Sequence, residues 1–364
     1  MLAAVVLFWI SLAALVWTHA AYPAAVALAA RLVPRPPHTD EIEPSVAVVI
    51  AAHNEEAVIA RRIENLLELD YPAGQLRIVV TSDASTDRTE EIAAAHAGVT
   101  VIQNPRGGKV AAQDRAVRNT ESELVAFSDA NATWAPDALR KLVRAFADPE
   151  VAYVCGQLRI LRADGSNREG AYWRYEMVVR AAESALRSVT GGNGSIYAVR
   201  RSDYVEVDPR FGHDLSLPYL MVQRGRRAVY EPEAHAFEKP TPTNETEYRR
   251  KVRMFEHCWL ILLRGRMLRR LGVVYGIEIV SHRVLRYGSG LLHLVLLGTS
   301  IALVTHGWVY DAVLAAQVLL LVAAAAGVGI ARYYVLVTWA TVVSLWNYLR
   351  RGVPATWEAA EGTR

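Results

Sequence analysis

The sequence predicts an α/β fold: a Rossmann-like domain with a mostly parallel sheet and flanking helices, joined to α-helical transmembrane segments and an interfacial amphipathic helix. Two observations predict it. Between Ser45 and about Pro240, short apolar runs alternate with amphipathic stretches, which is typical of a mostly parallel sheet with helices on both faces. Elsewhere, four long stretches contain no Lys, Arg, Asp or Glu.

The charge-free stretches cover residues 1–30, 287–310, 312–331 and 333–349. A membrane-spanning helix needs about 20 consecutive apolar residues, and the first three stretches reach this length. We expect the fourth to be either a further span or an interfacial segment, since Arg350 follows it directly. The sequence therefore predicts an integral membrane protein, which we place in the plasma membrane.

The first stretch is predicted to be an anchor and not a cleaved signal peptide, because no basic residue precedes it and its apolar run is too long. Arg31 and Arg35 follow it, so the positive-inside rule places the next domain in the cytosol. Cys155 and Cys258 show no disulfide or zinc spacing and are expected to be reduced. The net charge of +3 indicates no nucleic acid partner.

The elements of the α/β domain follow from local pattern. Continuous apolar runs predict buried strands, and charged amphipathic segments after the first three runs predict helices. The predicted strands are 46–52, 76–82, 99–104 and 123–129, and the predicted helices are 55–69, 87–96 and 108–118.

Polar residues follow three of the predicted strands, at the point where each strand ends. These are His53-Asn54-Glu55, Ser82-Asp83 and Asp129-Ala130-Asn131. In open parallel sheets, ligands bind outside the carboxyl ends of the strands. The three groups are therefore expected to converge on one rim of the sheet.

Asp129 and Asn131 are spaced as positions i and i+2, which point the same way in an extended segment. Their oxygen atoms could then face one ligand together. Hard oxygen ligands suit Mg²⁺ or Mn²⁺ bridging phosphates, and such ions often use only one or two protein carboxylates. The alternative is that Asp129 only caps the next helix, which is predicted to begin near Pro136.

Six segments of the chain then carry a resemblance to a known family. Together, and flanked by membrane stretches, they resemble the membrane-embedded family 2 glycosyltransferases of the GT-A fold, which include polysaccharide synthases. The likeness runs from about Val46 to the C-terminus. The segments are IAAHNEE (50–56), SDASTD (82–87), GGKVAAQDRAV (107–117), SDAN (128–131), GGNGSIYAVRR (191–201) and GHDLSLPYLMVQRGRRAVYEPEA (212–234).

The resemblance implies a donor site on the rim. Glu55 and Asp83 would hold the ribose and base of the nucleotide, and Asp129 would bind a divalent cation on the diphosphate. Asn131 stands where the family more often has a second Asp, and it would be a weaker metal ligand. Lys109 is a candidate counter-charge for the phosphates, with a solvated lysine as the alternative.

The resemblance also implies a catalytic base. Asp214 matches the second acid of the family's Glu-Asp pair, whereas His213 replaces the Glu. Asp214 precedes an apolar helical pattern, so its carboxylate is expected at a helix N-terminus, which favours negative charge. An ordinary helix cap is the alternative interpretation.

A basic amphipathic segment matches the family's Gln-x-x-Arg-Trp motif, with Arg250 at the Gln, Arg253 at the Arg and Met254 at the Trp position. Residues 249–270 contain eight Lys or Arg and one acid, a composition typical of a helix on a membrane surface. The resemblance implies that Arg253 and Arg250 contact the leaving diphosphate. Alternatively, these cations meet anionic membrane lipids.

The implied activity is inverting transfer of a sugar from a nucleotide-diphospho-sugar, with UDP as the expected nucleotide, to a glycan or lipid-linked acceptor. The alternatives are a catalytically degenerate membrane scaffold and a transporter. The predicted division is an anchor (1–33), a linker (34–44), the cytosolic GT-A domain (45–243), amphipathic interfacial helices (244–286), C-terminal transmembrane helices (287–349) and a tail (350–364).

Overall fold

The structure is a computed structural model that describes residues 1–160, 171–239 and 244–356. The predicted domain end at residue 243 and the tail beyond residue 356 lie outside the described residues. The chain divides into two compact units. We call them the α/β unit, which comprises the described residues of 26–242, 264–275 and 354–364, and the helical unit, which comprises those of 1–25, 243–263 and 276–353.

Strands and helices alternate along much of the α/β unit, whereas the helical unit contains helices alone among its described residues. The strands are β1 Val46–Ala52, β2 Leu76–Asp83, β3 Val99–Asn104, β4 Leu124–Asp129, β5 Thr133–Trp134, β6 Val151–Ile160, β7 Tyr197–Arg200 and β8 Arg227–Glu238. The helices are α1 Leu2–Val16, α2 Tyr22–Leu32, α3 Ile59–Leu67, α4 Thr89–Ala94, α5 Lys109–Arg118, α6 Ala138–Arg144, α7 Ala171–Leu186, α8 His213–Gln223, α9 Asn244–Arg264, α10 Val273–Ile279, α11 Leu285–Tyr287, α12 Ser289–Ala302, α13 Trp308–Ala325 and α14 Gly329–Arg351.

The α/β unit is built on one sheet with the strand order β3-β2-β1-β4-β7-β6-β8-β5. Strands β3, β2, β1 and β4 are parallel to one another, and β6 is parallel to β8. Strand β7 pairs antiparallel with β4 and β6, and the short β5 pairs antiparallel with β8. The predicted mostly parallel sheet is confirmed, and all four predicted strands are present.

Both faces of the sheet are covered, which explains why β1 is apolar throughout. Val46, Val48 and Ile50 face a core that includes residues of α3 and α6. Ala47 and Val49 face a second core that includes residues of α5 and α8. Since neighbouring residues of a strand point to opposite faces, a strand buried on both sides reads as a continuous apolar run.

The helix predicted from residue 55 begins later, at Ile59. The reason lies in the loops after β1 and β2, which are tied together by hydrogen bonds. The backbone N–H of Glu56 donates to Asp87 Oδ2 (3.1 Å), and Asn54 Oδ1 accepts from the Thr86 N–H (2.7 Å). These bonds hold residues 54–56 in a turn before the helix starts.

Ala84, in the loop after β2, has a φ of 55°, although an L-residue with a Cβ is disfavoured there by about 1–2 kcal/mol. Glycine lacks this penalty but loses about 0.5–1 kcal/mol more chain entropy on folding. We therefore expect Ala84→Gly to stabilise the protein by up to about 1 kcal/mol, measured as a higher thermal unfolding midpoint in detergent. Ala73→Gly, at an exposed loop position without a positive φ, is the matched control and should lower the midpoint. Equal effects at both positions would contradict the strain at Ala84.

Two described helices are long and apolar enough to cross a membrane: the continuous helix Leu2–Leu32 and α13. A bent pair, Val273–Tyr287 with Ser289–Ala302, would make a third if it forms one span. These helices coincide with the predicted anchor and with two of the predicted C-terminal spans. The stretch 333–349 lies inside α14, and its crossing of a membrane stays a prediction.

Polar contacts and a close helix approach hold the helical unit together. Trp17 Nε1 donates to Ser281 Oγ over 2.8 Å. A Cβ on Gly290 of α12 would lie 2.5 Å from the Thr338 carbonyl oxygen of α14. Small residues allow such close contact between helices in a membrane.

Candidate active site

The strand register brings the predicted polar residues to one rim. Asp129 lies beside Ala51, and Ser82 lies beside Ala52. His53 Nδ1 is 2.8 Å from the Asp83 carbonyl oxygen. The predicted convergence of the residues after β1, β2 and β4 is therefore present in the structure.

Asp83 is buried and organises the loop before α5. Its carboxylate accepts hydrogen bonds from the backbone N–H groups of Gly107 (2.7 Å) and Gly108 (3.0 Å). The Arg106 guanidinium donates to it as well, over 2.9 Å. Gly108 has a φ of 92°, which favours glycine, and a Cβ there would meet the Ala355 carbonyl oxygen at 2.2 Å. This loop contact was not predicted from the sequence, and the role of Asp83 in holding the nucleotide stays a prediction.

Glu55 lies at the same rim, partly buried, in the turn between β1 and α3. Its backbone N–H donates to Thr89 Oγ1 over 2.7 Å, which fixes the turn against the start of α4. The structure thus places Glu55 and Asp83 on adjacent loops. The predicted contact of Glu55 with the nucleotide is not tested by this arrangement.

Asp129 and Lys109 form an ion pair at the centre of the rim, with side chains that are 27% and 22% exposed. Ser195 Oγ also donates to Asp129 Oδ2, over 3.2 Å. Burial lowers the pKa of Lys109, but the charge of Asp129 and the hydrogen bond to it outweigh burial, and the pKa is raised overall. Lys109 is therefore a fixed ammonium group beside Asp129, and not a solvated lysine.

The extended geometry predicted for Asp129 and Asn131 is wrong. Strand β4 ends at Asp129, and residues 130 and 131 form a turn in which the Ala132 N–H donates to the Asp129 carbonyl over 3.3 Å. The i and i+2 rule for extended chains does not apply inside a turn. The assignment of Asn131 as a metal ligand therefore loses its geometric basis and stays a prediction from the resemblance alone.

Two residues at the rim were missed by the sequence analysis. The Ser195 hydroxyl contacts Glu238 Oε1 as well as Asp129. Glu238 ends β8, a strand that contains several charged residues and was not predicted from the sequence. Gly194 lies next to the Lys109–Asp129 ion pair: a Cβ at this position would be 3.5 Å from Lys109 Nζ and 3.8 Å from Asp129 Oδ2.

The donor set at this place consists of oxygen atoms, which suits a hard divalent cation. No group of three or more His, Cys, Asp or Glu suited to a metal occurs among the described residues. A cation such as Mg²⁺ or Mn²⁺ that is held by one or two carboxylates completes its coordination with substrate oxygens and water. The residues present therefore fit a cation that binds together with a nucleotide diphosphate.

Asp214 lies in the first turn of α8, as predicted. The residue at the cap position is Gly212, so Asp214 is not the helix cap. A Cβ on Gly212 would lie 2.6 Å from Asp214 Oδ1, which shows that the carboxylate folds back over the glycine. The Gly192 N–H donates to the Asp214 carbonyl over 2.6 Å and ties this turn to the glycine-rich segment 191–195.

His213, the residue that replaces an acid of the family motif, is buried in a chain of hydrogen bonds. Its Nδ1 is 3.0 Å from the Tyr197 hydroxyl, and its Nε2 is 3.2 Å from the Tyr204 hydroxyl. The Tyr204 hydroxyl donates to Asp114 Oδ1 over 2.5 Å.

Burial, and to a lesser extent the charge of Lys109, lower the pKa of His213 to about 3. The imidazole is therefore neutral near pH 7. Because Tyr204 donates to Asp114, Nε2 carries the proton and Nδ1 accepts from Tyr197. A neutral ring thus fixes the start of α8 where the family usually has a carboxylate.

Asp114 should make stability depend on pH. Burial raises its pKa from 3.8 to about 6, although the Tyr204 hydrogen bond opposes the change. The folded protein then binds this proton more tightly than the unfolded chain, so the stabilisation is fully present below about pH 4 and is lost as the pH rises through 6. Relative to Asp114→Asn, the free energy of unfolding of the parent should fall by about 2 kcal/mol between pH 4 and 7. Parallel pH profiles in thermal unfolding would contradict this.

Arg250 and Arg253 belong to the helical unit, on α9. Arg250 Nε donates to Glu247 over 3.0 Å, which places its charge in a local ion pair. Burial, and then the charge of Arg250, lower the pKa of Arg253. That these two arginines contact the leaving diphosphate stays a prediction.

Comparisons with known proteins identify related sequences. Residues 47–206 match the family model of glycosyl transferase family 2. A β-monoglucosyldiacylglycerol synthase of Synechocystis sp. is 32% identical over 164 residues, which are 42% of this chain and 33% of that protein. An N-acetylglucosaminyltransferase of Rhizobium sp. (strain N33) is 30% identical over 224 residues, which are 54% and 48% of the two chains. The chain thus spans about a third to a half of the length of these relatives.

The fold also matches a solved structure. A mannosyltransferase from Pyrobaculum calidifontis, in complex with GDP-Man and Mn²⁺, superimposes with a TM-score of 0.72 over 94% of this chain and 99% of that one. The sequences are 22% identical, so this likeness concerns the fold. It confirms the predicted GT-A fold. Residues 47–206 carry a family 2 glycosyltransferase domain by their match to the family model, and the solved structure supports the fold of that domain.

Proposed function

We propose that the protein is an inverting glycosyltransferase that moves a sugar from a nucleotide-diphospho-sugar to an acceptor hydroxyl. One observation carries this proposal. The glycine-rich segment 191–195 contacts the turn of Asp214 at one end and the Lys109–Asp129 pair at the other. The same short segment thus contacts both the turn that carries the proposed base and the ion pair that we propose as the diphosphate site.

Asp214 would act as the general base. The acceptor O–H would pass its proton to the Asp214 carboxylate while the oxygen attacks the anomeric carbon. The bond from that carbon to the diphosphate oxygen breaks, and its electron pair leaves with the diphosphate. A single displacement with one base inverts the anomeric configuration and needs no carboxylate nucleophile.

Lys109 would stabilise the leaving diphosphate. Its ammonium is fixed at the rim by Asp129, and fixed charges aimed at a developing negative charge lower the barrier. Asp129 would hold Mg²⁺ or Mn²⁺, which when bound neutralises charge on the diphosphate. The Mn²⁺ in the mannosyltransferase complex supports this part of the proposal.

We propose UDP as the nucleotide and a lipid-linked or glycan acceptor. The name of one relative, β-monoglucosyldiacylglycerol synthase, supports a lipid acceptor, whereas the N-acetylglucosaminyltransferases are named for the sugar that they transfer. The solved relative carries GDP-Man, so GDP-mannose belongs in any donor panel.

We also propose that the enzyme is membrane-bound with its catalytic domain in the cytosol. The two apolar helices and the cations Arg31 and Arg35 after the first of them support this. Residues 264–270 add four exposed arginines, none of which forms an ion pair with another residue that the structure describes. Leu268 between them is 51% exposed. Exposed cations with apolar side chains fit anionic membrane lipids.

The test is a donor panel with the purified full chain, in which products are identified by mass and by the anomeric configuration of the new bond. We expect transfer from one nucleotide sugar, with inversion, that depends on a divalent cation. Retention of configuration would contradict the mechanism. Donor binding without turnover of any sugar would instead support the degenerate scaffold.

A further inference from the structure

The end of β8 brings a second carboxylate to the rim. Ser195 Oγ is 3.2 Å from Asp129 Oδ2 and also contacts Glu238 Oε1. Asp129 and Glu238 therefore approach the same hydroxyl group from two strands. A hydroxyl has one proton and can donate to only one of two acceptors. One of these carboxylates thus faces the Ser195 oxygen without a proton from it.

Two carboxylates that share a site repel each other unless a positive charge lies between them. The cation at this place is Lys109, which forms an ion pair with Asp129. Two carboxylates thus meet at the Ser195 hydroxyl, and one ammonium group pairs with the first of them. Asp129 also attracts Arg62, but Arg62 is only 1% exposed and its guanidinium stacks 4.9 Å from the Trp134 ring. Such a group of carboxylates favours binding of an additional cation.

The sheet fixes Glu238 in place. Strand β5, which follows the Asp129 turn directly, pairs with the end of β8 through Thr133 with Phe237 and Trp134 with Ala236. On its other side, β8 pairs with β6 through Ile160 and Glu238. A ligand held by a strand is positioned more closely than one on a free loop.

We propose that Glu238, together with Asp129, binds the divalent cation of the donor site. This inference deepens the proposed function and rests on it. Asn131 was the residue expected for this task, but it lies in a turn, and its neutral amide attracts a cation less than a carboxylate does. Two carboxylates and the oxygens of the diphosphate form a ligand set that Mg²⁺ and Mn²⁺ accept.

The experiment measures binding of Mn²⁺ alone to the full chain in detergent, after removal of metal with a chelator. Free Mn²⁺ is followed by its electron paramagnetic resonance signal. We expect Glu238→Gln to raise the Kd for Mn²⁺ by about tenfold or more. Glu238→Asp keeps the charge and should retain more of the affinity than Glu238→Gln.

Glu233→Gln is the matched control, since it makes the same change at an exposed position of the same strand. It should bind Mn²⁺ like the parent. Thermal unfolding of each variant separates loss of a ligand from loss of the fold. If the parent binds Mn²⁺ and Glu238→Gln binds it equally well, the assignment of Glu238 is wrong and the proposed transferase stands. If the parent transfers sugar but binds no Mn²⁺, both Glu238 and the metal in the proposed mechanism are wrong.

Discussion

Asp214→Asn is expected to lower the rate of sugar transfer by about 10²–10⁴-fold, the usual contribution of a general base. The amide that replaces the carboxylate has nearly the same shape, but it cannot accept the proton of the acceptor hydroxyl. No side-chain hydrogen bond to the Asp214 carboxylate occurs within the described part of the chain, so the substitution breaks no such contact. The rate at saturating donor and acceptor is the measurement.

Stability and donor binding should both survive this change. The cap of α8 is Gly212, so Asp214 contributes no cap hydrogen bond that Asn would have to replace. The predicted nucleotide contacts lie elsewhere: Glu55 is on the loop after β1, and Asp83 is the last residue of β2. Asp137→Asn, the same change at the start of α6, is the control and should leave transfer unchanged. A variant Asp214→Asn that binds donor and transfers sugar at the parent rate would remove Asp214 from the mechanism.

Much of the fold could be predicted from the sequence because the sheet is buried on both faces. Burial makes β1 and β4 continuous apolar runs, and such runs mark a strand whatever its neighbours are. The antiparallel insertion of β7 between β4 and β6 could not be predicted in this way. Pairing partners depend on contacts between residues that are distant in sequence, and a local pattern carries no such information.

The rim residues that end a strand could be predicted, whereas those that depend on side-chain contacts could not. Asp83 and Asp129 follow apolar runs, so their place was evident. Glu238 was missed because its importance comes from a contact with Ser195, which lies 43 residues away in sequence. Asn131 was placed wrongly because one backbone hydrogen bond turns the chain after Asp129, and an Asp-x-Asn spacing reads the same in a strand and in a turn.

The neutral state of His213 could not be predicted from the sequence either. A histidine beside a proposed base could act as a cation or as a proton carrier, and the motif alone does not distinguish these roles. The structure distinguishes the two roles from a third, a neutral ring. Burial lowers the pKa of His213 to about 3, and both ring nitrogens form hydrogen bonds with tyrosine hydroxyls. His213 is thus a positioning residue for the turn that carries Asp214.

Asp129→Ala is expected to abolish the dependence of turnover on a divalent cation and to lower turnover by about 10²–10³-fold, the usual effect of removing one group that stabilises developing charge. The side chain is 27% exposed at the end of a strand and is not part of either core, so the fold should remain. Turnover is measured against Mn²⁺ concentration at saturating donor. In the same assay, Asn131→Asp should preserve activity and tighten Mn²⁺ binding, because it adds a charge beside the site.

The loss of Asp129 also leaves Lys109 without its partner, and breaking a partly buried ion pair can destabilise a protein by itself. Asp129→Asn separates the two effects. Its amide oxygen can still accept from Lys109, and its NH2 group at the position of Oδ2 can donate to the Ser195 oxygen, so the local structure is kept while the charge that attracts a cation is removed. If the charge is what matters, Asp129→Asn should lose turnover almost as fully as Asp129→Ala, yet unfold at nearly the parent temperature. Near-parent rates for Asp129→Ala at the same Mn²⁺ concentration would show that the cation is held elsewhere. Neither Glu238 nor Asn131 could replace both the charge of Asp129 and the position of its carboxylate between Lys109 and Ser195.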